Sequence, residues 1–318
     1  AGISLHSVNT LSTQSYSADI SYFKGRGWYD VTYQNKTFWP GIKLRAFNEP
    51  AYRSASGIGI LGRQERSLAL SVPFQVKLDQ NIYRTSFFVE PEIRRSQLRF
   101  FDANFDNSIS DFANLTIGNI YAQFNYRLQQ NIRDLQPNSG LLLFSEVEHF
   151  LTGDELTFGS PNNEINFSSP DATALRGGIY GFVAPLKRWN QSLRIGIRGL
   201  TQSDPIFNNQ SIVSDGFSDF VFPNSRNLLS FDSRYTIPLF YVDDGGLLLP
   251  LYLSNIYLVA FSNTVTDPAF ADWYNDSRTV FGIGVRTSFQ LSNLRFNIGF
   301  GFGYEPTRKQ TQFFIGDF

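Results

Sequence analysis

The sequence predicts an all-β protein, specifically a transmembrane, antiparallel, up-and-down β-barrel. Three observations carry that expectation. Aromatic residues make up 16% of the 318 residues, with 32 Phe and 15 Tyr, while 17% are charged; rings are enriched on the outer band and interfacial girdles of such barrels. Long segments alternate apolar and polar side chains with a period of two. No stretch approaches the roughly 18 to 20 consecutive apolar residues of a spanning helix, and the longest apolar runs, such as Leu247 to Leu249, are short and end at Pro or Ser.

Read in chain order, fifteen candidate strands emerge: 3–11, 16–24, 28–36, 39–48, 65–78, 81–97, 113–128, 139–152, 171–187, 190–203, 226–239, 249–263, 278–291, 294–305 and 309–318. Leu68, Leu70, Val72, Phe74 and Val76 face away from Ala69, Ser71, Gln75 and Lys77; Tyr83, Phe87, Val89 and Ile93 face away from Arg84, Ser86, Glu90, Glu92 and Arg94. Further on, Leu193, Ile195 and Ile197 oppose Arg194, Gly196 and Arg198, and Leu229, Phe231, Tyr235, Ile237 and Leu239 oppose Ser230, Asp232, Arg234 and Thr236. In the last third, Phe281, Ile283, Val285 and Phe289 oppose Gly282, Gly284, Arg286, Ser288 and Gln290, and Phe296 through Tyr304 set five apolar side chains against Asn297 and three glycines. A soluble sandwich also alternates, but its strands average about 5 to 6 residues, and its polar face is dense in Lys and Glu. Here that face holds Gly, Ser, Asn and scattered Arg, as a crowded wet lumen requires.

Single-chain bacterial barrels have an even number of strands. Either 3–11 is not a membrane strand, giving fourteen, or a preceding strand has been lost, giving sixteen. With the last strand ending at the periplasm, the longer connections 49–64, 98–112, 153–170, 204–225 and 264–277 fall outside and the short turns inside.

The net charge of -1 carries no electrostatic footprint for nucleic acid. The absence of Cys removes disulfides, thiolate metal sites and Cys nucleophiles. Residues 1–5 lack a basic start and an apolar core, so they are not expected to be a signal peptide; with no initiator Met, the chain looks processed or cut from something longer, and 1–318 reads as one barrel domain.

Several segments resemble a known family. Ser21-Tyr22-Phe23, Trp28 and Tyr33 through Pro40 resemble the start of the C-terminal barrel in bacterial proteins that carry a TolB-type β-propeller ahead of it. Asn227 through Leu239 is similar to the strand that reads roughly "EYRFPL" in the wider superfamily of POTRA-linked insertases and two-partner secretion pores. Leu249 to Tyr257 and Phe281 to Arg286 continue in the same register. The resemblance covers most of the chain and implies a sixteen-stranded barrel. It also implies a lumen loop, carrying an Arg-Gly-aromatic motif just before that strand. Here the matching residues are Asp215, Gly216 and Phe217; Asp replaces Arg, which departs from the insertase pattern while leaving a lumen-filling role for 204–225. The chain ends on Phe318, with Phe314 four residues earlier, and looks like a barrel insertion signal, Gly316 departing from the usual apolar residue.

Candidate sites follow from the faces. Arg84, Arg94, Arg194, Arg198, Arg234 and Arg286, set against Glu90, Glu92, Glu146, Glu148 and Asp232, either form a charged constriction or brace the wall in pairs. Bracing is the better reading, because a charge on the lipid face costs about 2–4 kcal/mol at midplane and must point inward anyway. Asp102, Asn104, Asp106, Ser108 and Ser110 place oxygens in a calcium-loop pattern. However, Asn107 stands where Gly is needed and Ala113 where Glu is needed, and a polar exposed loop explains the same residues. Gly57 to Gly62 matches a dinucleotide motif by letter without the helix it requires. His6 and His149, the two histidines, have no triad or zinc framework around them.

The expectation is therefore a bacterial outer-membrane barrel, similar to insertase and translocation barrels, that anchors or serves a periplasmic module. The alternative is a passive, porin-like diffusion channel for small solutes. No enzyme activity and no required cofactor are expected, calcium being the one ion the sequence raises. The expected partners are outer-membrane lipids and a periplasmic domain or protein.

Overall fold

The computed structural model describes residues 2–55, 59–80, 83–102, 104–128, 136–158, 165–167, 172–186, 189–203, 217, 225–240, 244–245, 251–267, 277–291 and 294–315. Its first strands are β1 (Gly2–Val8), β2 (Gln14–Phe23), β3 (Arg26–Asn35), β4 (Ile42–Ala55), β5 (Gly59–Ser71), β6 (Phe74–Gln80), β7 (Tyr83–Phe101), β8 (Ala113–Leu128) and β9 (Gly140–Gly153). After the small hairpin of β10 (Leu156–Phe158) and β11 (Ile165–Phe167) come β12 (Thr173–Val183), β13 (Ser192–Gln202), β14 (Asn227–Phe240) and β15 (Asp244–Gly245). The chain finishes with β16 (Leu251–Thr266), β17 (Arg278–Leu291), β18 (Leu294–Glu305) and β19 (Gln310–Ile315). No described residue lies in an α-helix, so none is long and apolar enough to cross a membrane as one.

Apart from the β10–β11 hairpin, one sheet takes in every strand. It holds sixteen antiparallel up-and-down strands and, as a seventeenth, the two-residue β15 laid on β16. Leaving aside the β10–β11 hairpin and the short β6 and β15, each strand pairs with the next one in sequence, because short turns leave an antiparallel return as the available path. All fifteen predicted segments become strands. The sixteenth arises because the predicted 65–78 strand is built in two pieces. Proline has no N–H to donate to a ladder, so Pro73 separates β5 from β6, yet both lie end to end against β7 in one unbroken register, Ser71 opposite Glu92 and Phe74 opposite Val89. The fourteen-strand alternative falls away, since β1 pairs with β2 from Gly2↔Ser21 to Val8↔Ser15. Followed pairing by pairing, β1 and β19 run in the same direction, and among the described residues no pairing joins them.

One expected connection is absent. Residues 49–64 continue β4 and β5 as a paired hairpin as far as Ala55↔Gly59. The segment is polar and alternates weakly, which is why it resembles a loop in sequence. This also disposes of the dinucleotide-like motif, whose described part, Gly59 to Gly62, is strand.

Period-two alternation divides the sheet into unlike faces. Ile195, Ile283, Phe302 and their kind are exposed, Ile283 at 52%. The opposite face is buried although it carries charges: Glu65 is 6% exposed, Asp232 3% and Ser96 0%. A flat sheet exposes both faces equally, so the charged face is the concave one, covered by its own side chains. Toward the long-loop end the outer face changes character, with Gln64 and Arg66 succeeding Leu70 and Leu68, so the apolar surface forms a band.

Rings on the concave face lie over glycines of the next strand. A Cβ on Gly178 would meet the Phe144 ring at 2.6 Å, one on Gly196 the Tyr180 ring at 2.5 Å, and one on Gly282 the Phe261 ring at 2.1 Å. The small residues opposite the aromatic stripe are therefore seats for side chains. Phe144 and Tyr180 stack with centroids 6.2 Å apart, and Phe261 reaches across the floor to Phe314 at 5.7 Å.

Candidate functional site

Most of the predicted charges lie on the concave face, as strand parity requires. Arg94 of β7 is the hub of one network. Its guanidinium meets Glu148 at 2.6 Å, Glu65 at 3.5 Å and Glu92 at 3.7 Å. Glu65 also accepts from Arg63 at 3.0 Å, Ser96 at 2.9 Å and Ser67 at 3.1 Å. Glu90 accepts from Lys43 at 2.9 Å and Ser71 at 2.6 Å. Glu146 pairs with Arg176 and accepts from Asn119 at 3.1 Å. Arg45 binds Asp30 at 2.7 Å and Glu49 at 2.8 Å. Buried charges persist when paired and hydrogen-bonded; every charge in this network has an ion-pair partner, while Arg63 Nε and Nη1, Arg94 Nε and Glu148 Oε1 are buried without a hydrogen bond.

The sequence reading missed Arg63 and Glu65, the most buried pair. Both keep the parity of Ser67 and Ser71, but Arg63 falls in the segment 49–64 taken as a connection and Glu65 stands at the first position of the predicted strand 65–78. Lys43, Arg45, Asp30 and Arg176 also lie on the concave face in strands whose polar side was not resolved from sequence.

A second group sits on β13, β14 and β17. Asp232 is 3.0 Å from Arg194 and 3.6 Å from Arg198, and Arg198 donates to Ser230 at 3.3 Å. Arg234 is the direct cross-strand partner of Arg194, and both line a cavity with Arg286. Arg84 stands apart from the other predicted charges, exposed at the short-turn end opposite Arg127.

Of the lumen-loop residues, Asp215 and Gly216 lie outside the described residues, whereas Phe217 is placed. It packs on Leu200, Leu228 and Val265 and also on Val259, Phe261 and Val280, all concave-face residues of β13, β14, β16 and β17. The Arg278 guanidinium lies over its ring at 5.2 Å, a cation–π contact, and is itself held by Glu305 at 2.7 and 2.8 Å. Across the sheet, Ile109 of the 102–112 loop packs on a buried cluster that includes Leu61, Leu98, Phe100 and Phe150. Two long loops thus put apolar side chains on the concave face at the long-loop end. Of the insertion-signal residues, Phe314 points to the concave side, where it packs on Phe261, and Phe318 lies outside the described residues.

The calcium-like loop folds on its own hydrogen bonds. Asp102 accepts the Asp106 amide at 2.8 Å on one carboxylate oxygen, and on the other the Asn107 amide and side chain, each at 3.1 Å. Desolvation raises the Asp102 pKa, but the donors from Asp106, Asn107 and Asn104 together outweigh it and hold this carboxyl below its ordinary range. Ser108 donates to the Ser110 carbonyl at 2.7 Å, and Ser110 to that of Asp111 at 3.0 Å. A calcium site needs 6–8 converging oxygens; these are spent separately, and among the described residues no three His, Asp or Glu side chains gather to hold a metal. The loop presents Phe105, which packs on Trp28 and Phe101 over Gly62, where a Cβ would sit 2.8 Å from the ring. Arg26 donates to the Phe105 carbonyl at 3.3 Å. Asp154 likewise has a lowered pKa, because the Asn114 side chain and backbone both donate to it.

No protein-family model matches this chain, and no curated protein matches it.

Proposed function

We propose that the chain is a bacterial outer-membrane β-barrel whose concave interior is occupied by its own loops, and that it anchors or serves a periplasmic module in moving protein or lipid, as the resemblance to insertase and translocation barrels implies. The exposed apolar band with the charges on the opposite face supports membrane placement, since irregular or edge-exposed backbone is costly in lipid and strands satisfy each other. The single observation that carries the occupied interior is Phe217. A loop meant to stay in solvent has no reason to bury a ring among Val259, Val265 and Phe261, and doing so orders the loop at an entropic cost that burial must offset. A diffusion channel needs an open, water-filled lumen.

Planar-bilayer recording tests this directly. The intact chain is expected to be silent or to flicker, and a variant with 204–225 replaced by a short Gly-Ser linker to conduct in larger, steadier steps. Large steady conductance from the intact chain would overturn the reading in favour of the diffusion channel.

A further inference from the structure

Gly118 of β8 leaves a dent in the outer face of the sheet. A Cβ built on it would come no closer to another group than 3.6 Å, to Leu151. Around that gap, Leu70 of β5, Ile93 of β7, Ile120 of β8 and Val147 and Leu151 of β9 line a groove of ≈ 470 Å³. It crosses four strands, and all five side chains are exposed, from 40% at Val147 to 54% at Ile120. Glu92 and Asn119 border it too, but their side chains belong to the concave network, where Glu92 meets Arg94 at 3.7 Å and Asn119 donates to Glu146 at 3.1 Å. His149, also at its edge, has the ring Nδ1 engaged with the Thr173 hydroxyl at 2.8 Å. The surface left to a ligand is apolar.

Toward the long-loop end the same face turns cationic. After Ile93, the outward positions of β7 are Arg95, Gln97 and Arg99; after Leu70, those of β5 are Leu68 and Arg66. The register sets Leu68 opposite Arg95, Arg66 opposite Gln97 and Gln64 opposite Arg99. Arg95 and Arg99 are thus the two diagonal neighbours of Arg66, a spacing that long side chains bridge. The guanidinium groups of Arg66 and Arg99 lie over one ring, Phe112, at 5.0 and 4.9 Å. Arg99 also donates to the Ser108 hydroxyl at 2.9 Å and the Ser110 carbonyl at 3.3 Å. Arg95 has Asp154 within electrostatic reach, a carboxylate that already accepts from Asn114 at 2.8 and 3.0 Å. Three cations therefore share one nearby carboxylate.

We infer that this face seats one phosphorylated acyl lipid of the leaflet at the long-loop end, its phosphate on Arg66, Arg95 and Arg99 and an acyl chain in the groove over Gly118. The inference rests on the membrane placement proposed above and is independent of what the barrel transports. Cations on the outer face of a barrel are tolerated near the interface and not at midplane, which puts the three arginines at headgroup depth. Ile93 stands two residues below Arg95, about 7 Å deeper along the strand, so the groove lies where acyl chains run. Guanidinium forks match phosphate oxygens in bidentate geometry, and a guanidinium stacked on a ring keeps its N–H edge for an oxyanion. The groove offers nothing to a polar ligand, and the arginines nothing to a neutral one. A single molecule with a phosphate at one end and hydrocarbon at the other satisfies both.

Photolabelling in vesicles tests it. The chain is refolded into phosphatidylcholine vesicles doped with phosphatidic acid that carries a diazirine in its acyl chain, or with phosphatidylcholine carrying the same chain, and the adducts are mapped by mass spectrometry. The phosphatidic acid probe is expected to label Ile93, Ile120 and Leu151 in excess over Ile283 and Phe302 elsewhere on the band, by about tenfold, the worth of one charge-assisted hydrogen bond. The phosphatidylcholine probe should label all five evenly. The double variant Arg66→Gln, Arg95→Gln should abolish the excess, and so should Gly118→Leu, which fills the groove and leaves the charges in place. Because a variant can misfold, the comparison of the two probes on the wild-type chain carries the test by itself. Even labelling by both probes overturns the proposal and leaves the membrane reading standing, as does an excess that survives in folded variants. Groove residues shielded from both probes would put a second copy or another protein there and overturn it equally. A chain that fails to float with the vesicles removes the membrane reading and the lipid seat together.

Discussion

Arg94 and Glu148 belong to strands separated by β8, yet their side chains meet at 2.6 Å over its concave face. The contact spans two strand spacings of about 4.8 Å each, so long side chains carry ion pairs across the sheet as well as along neighbouring ladders.

Arg94→Met should therefore destabilise the barrel by about 3–5 kcal/mol, because it leaves Glu65, Glu92 and Glu148 buried without their shared cation. Urea unfolding of the protein in micelles or vesicles checks this. A change below about 0.5 kcal/mol, the range of ordinary surface substitutions, would show that the network is not a brace.

Gly282→Ala should cost about 1–3 kcal/mol through overpacking, since its new methyl would sit on the Phe261 ring. Adding Phe261→Leu should recover part of the loss. If the double variant is no more stable than Gly282→Ala alone, the seat-and-ring account fails.

Ile283→Arg places a charge in the middle of the exposed apolar band and should destabilise the folded barrel in bilayers by about 2–4 kcal/mol. In a water-soluble sheet the same change at an exposed position would be nearly neutral. Refolding yield into lipid vesicles separates the two.

The Asp102 turn gives a pH dependence of definite sign. Its carboxyl is held below the ordinary range in the folded loop, so its contribution is fully present above the unfolded value, about 3.9, and is lost as the pH falls through the lower folded value. Acid titration should release Phe105 from Trp28, seen as a change in Trp28 emission in a variant whose other tryptophans are replaced by Phe. Asp102→Asn should abolish that transition, and an unchanged titration in the variant would assign it elsewhere.

Strand positions were legible in the sequence because alternation is a local property. Residues 278–291 and 294–305, where Phe and Ile alternate with Gly and Arg, became β17 and β18 with the expected bounds. The segment 49–64 was not legible. Its pairing is satisfied by the neighbouring strand, and Glu49, Arg63 and Gln64 gave no apolar stripe to mark it. Arg63 was missed with it, and Glu65 at the first position of the strand that follows. Phe217 was anticipated by its motif, but that motif carries no information about which strands receive the ring.

By itself, then, the sequence determined where most of the strands run and, wherever the stripe is strong, which side is apolar, because a period of two follows from backbone geometry and needs no knowledge of neighbours. Tertiary structure decided everything that depends on distance across strands: the three carboxylates around Arg94, the groove that four strands form over Gly118, and the rings seated on glycines. Those pairings arise from register and curvature, which bring together residues dozens of positions apart, and no local pattern encodes which of them will meet.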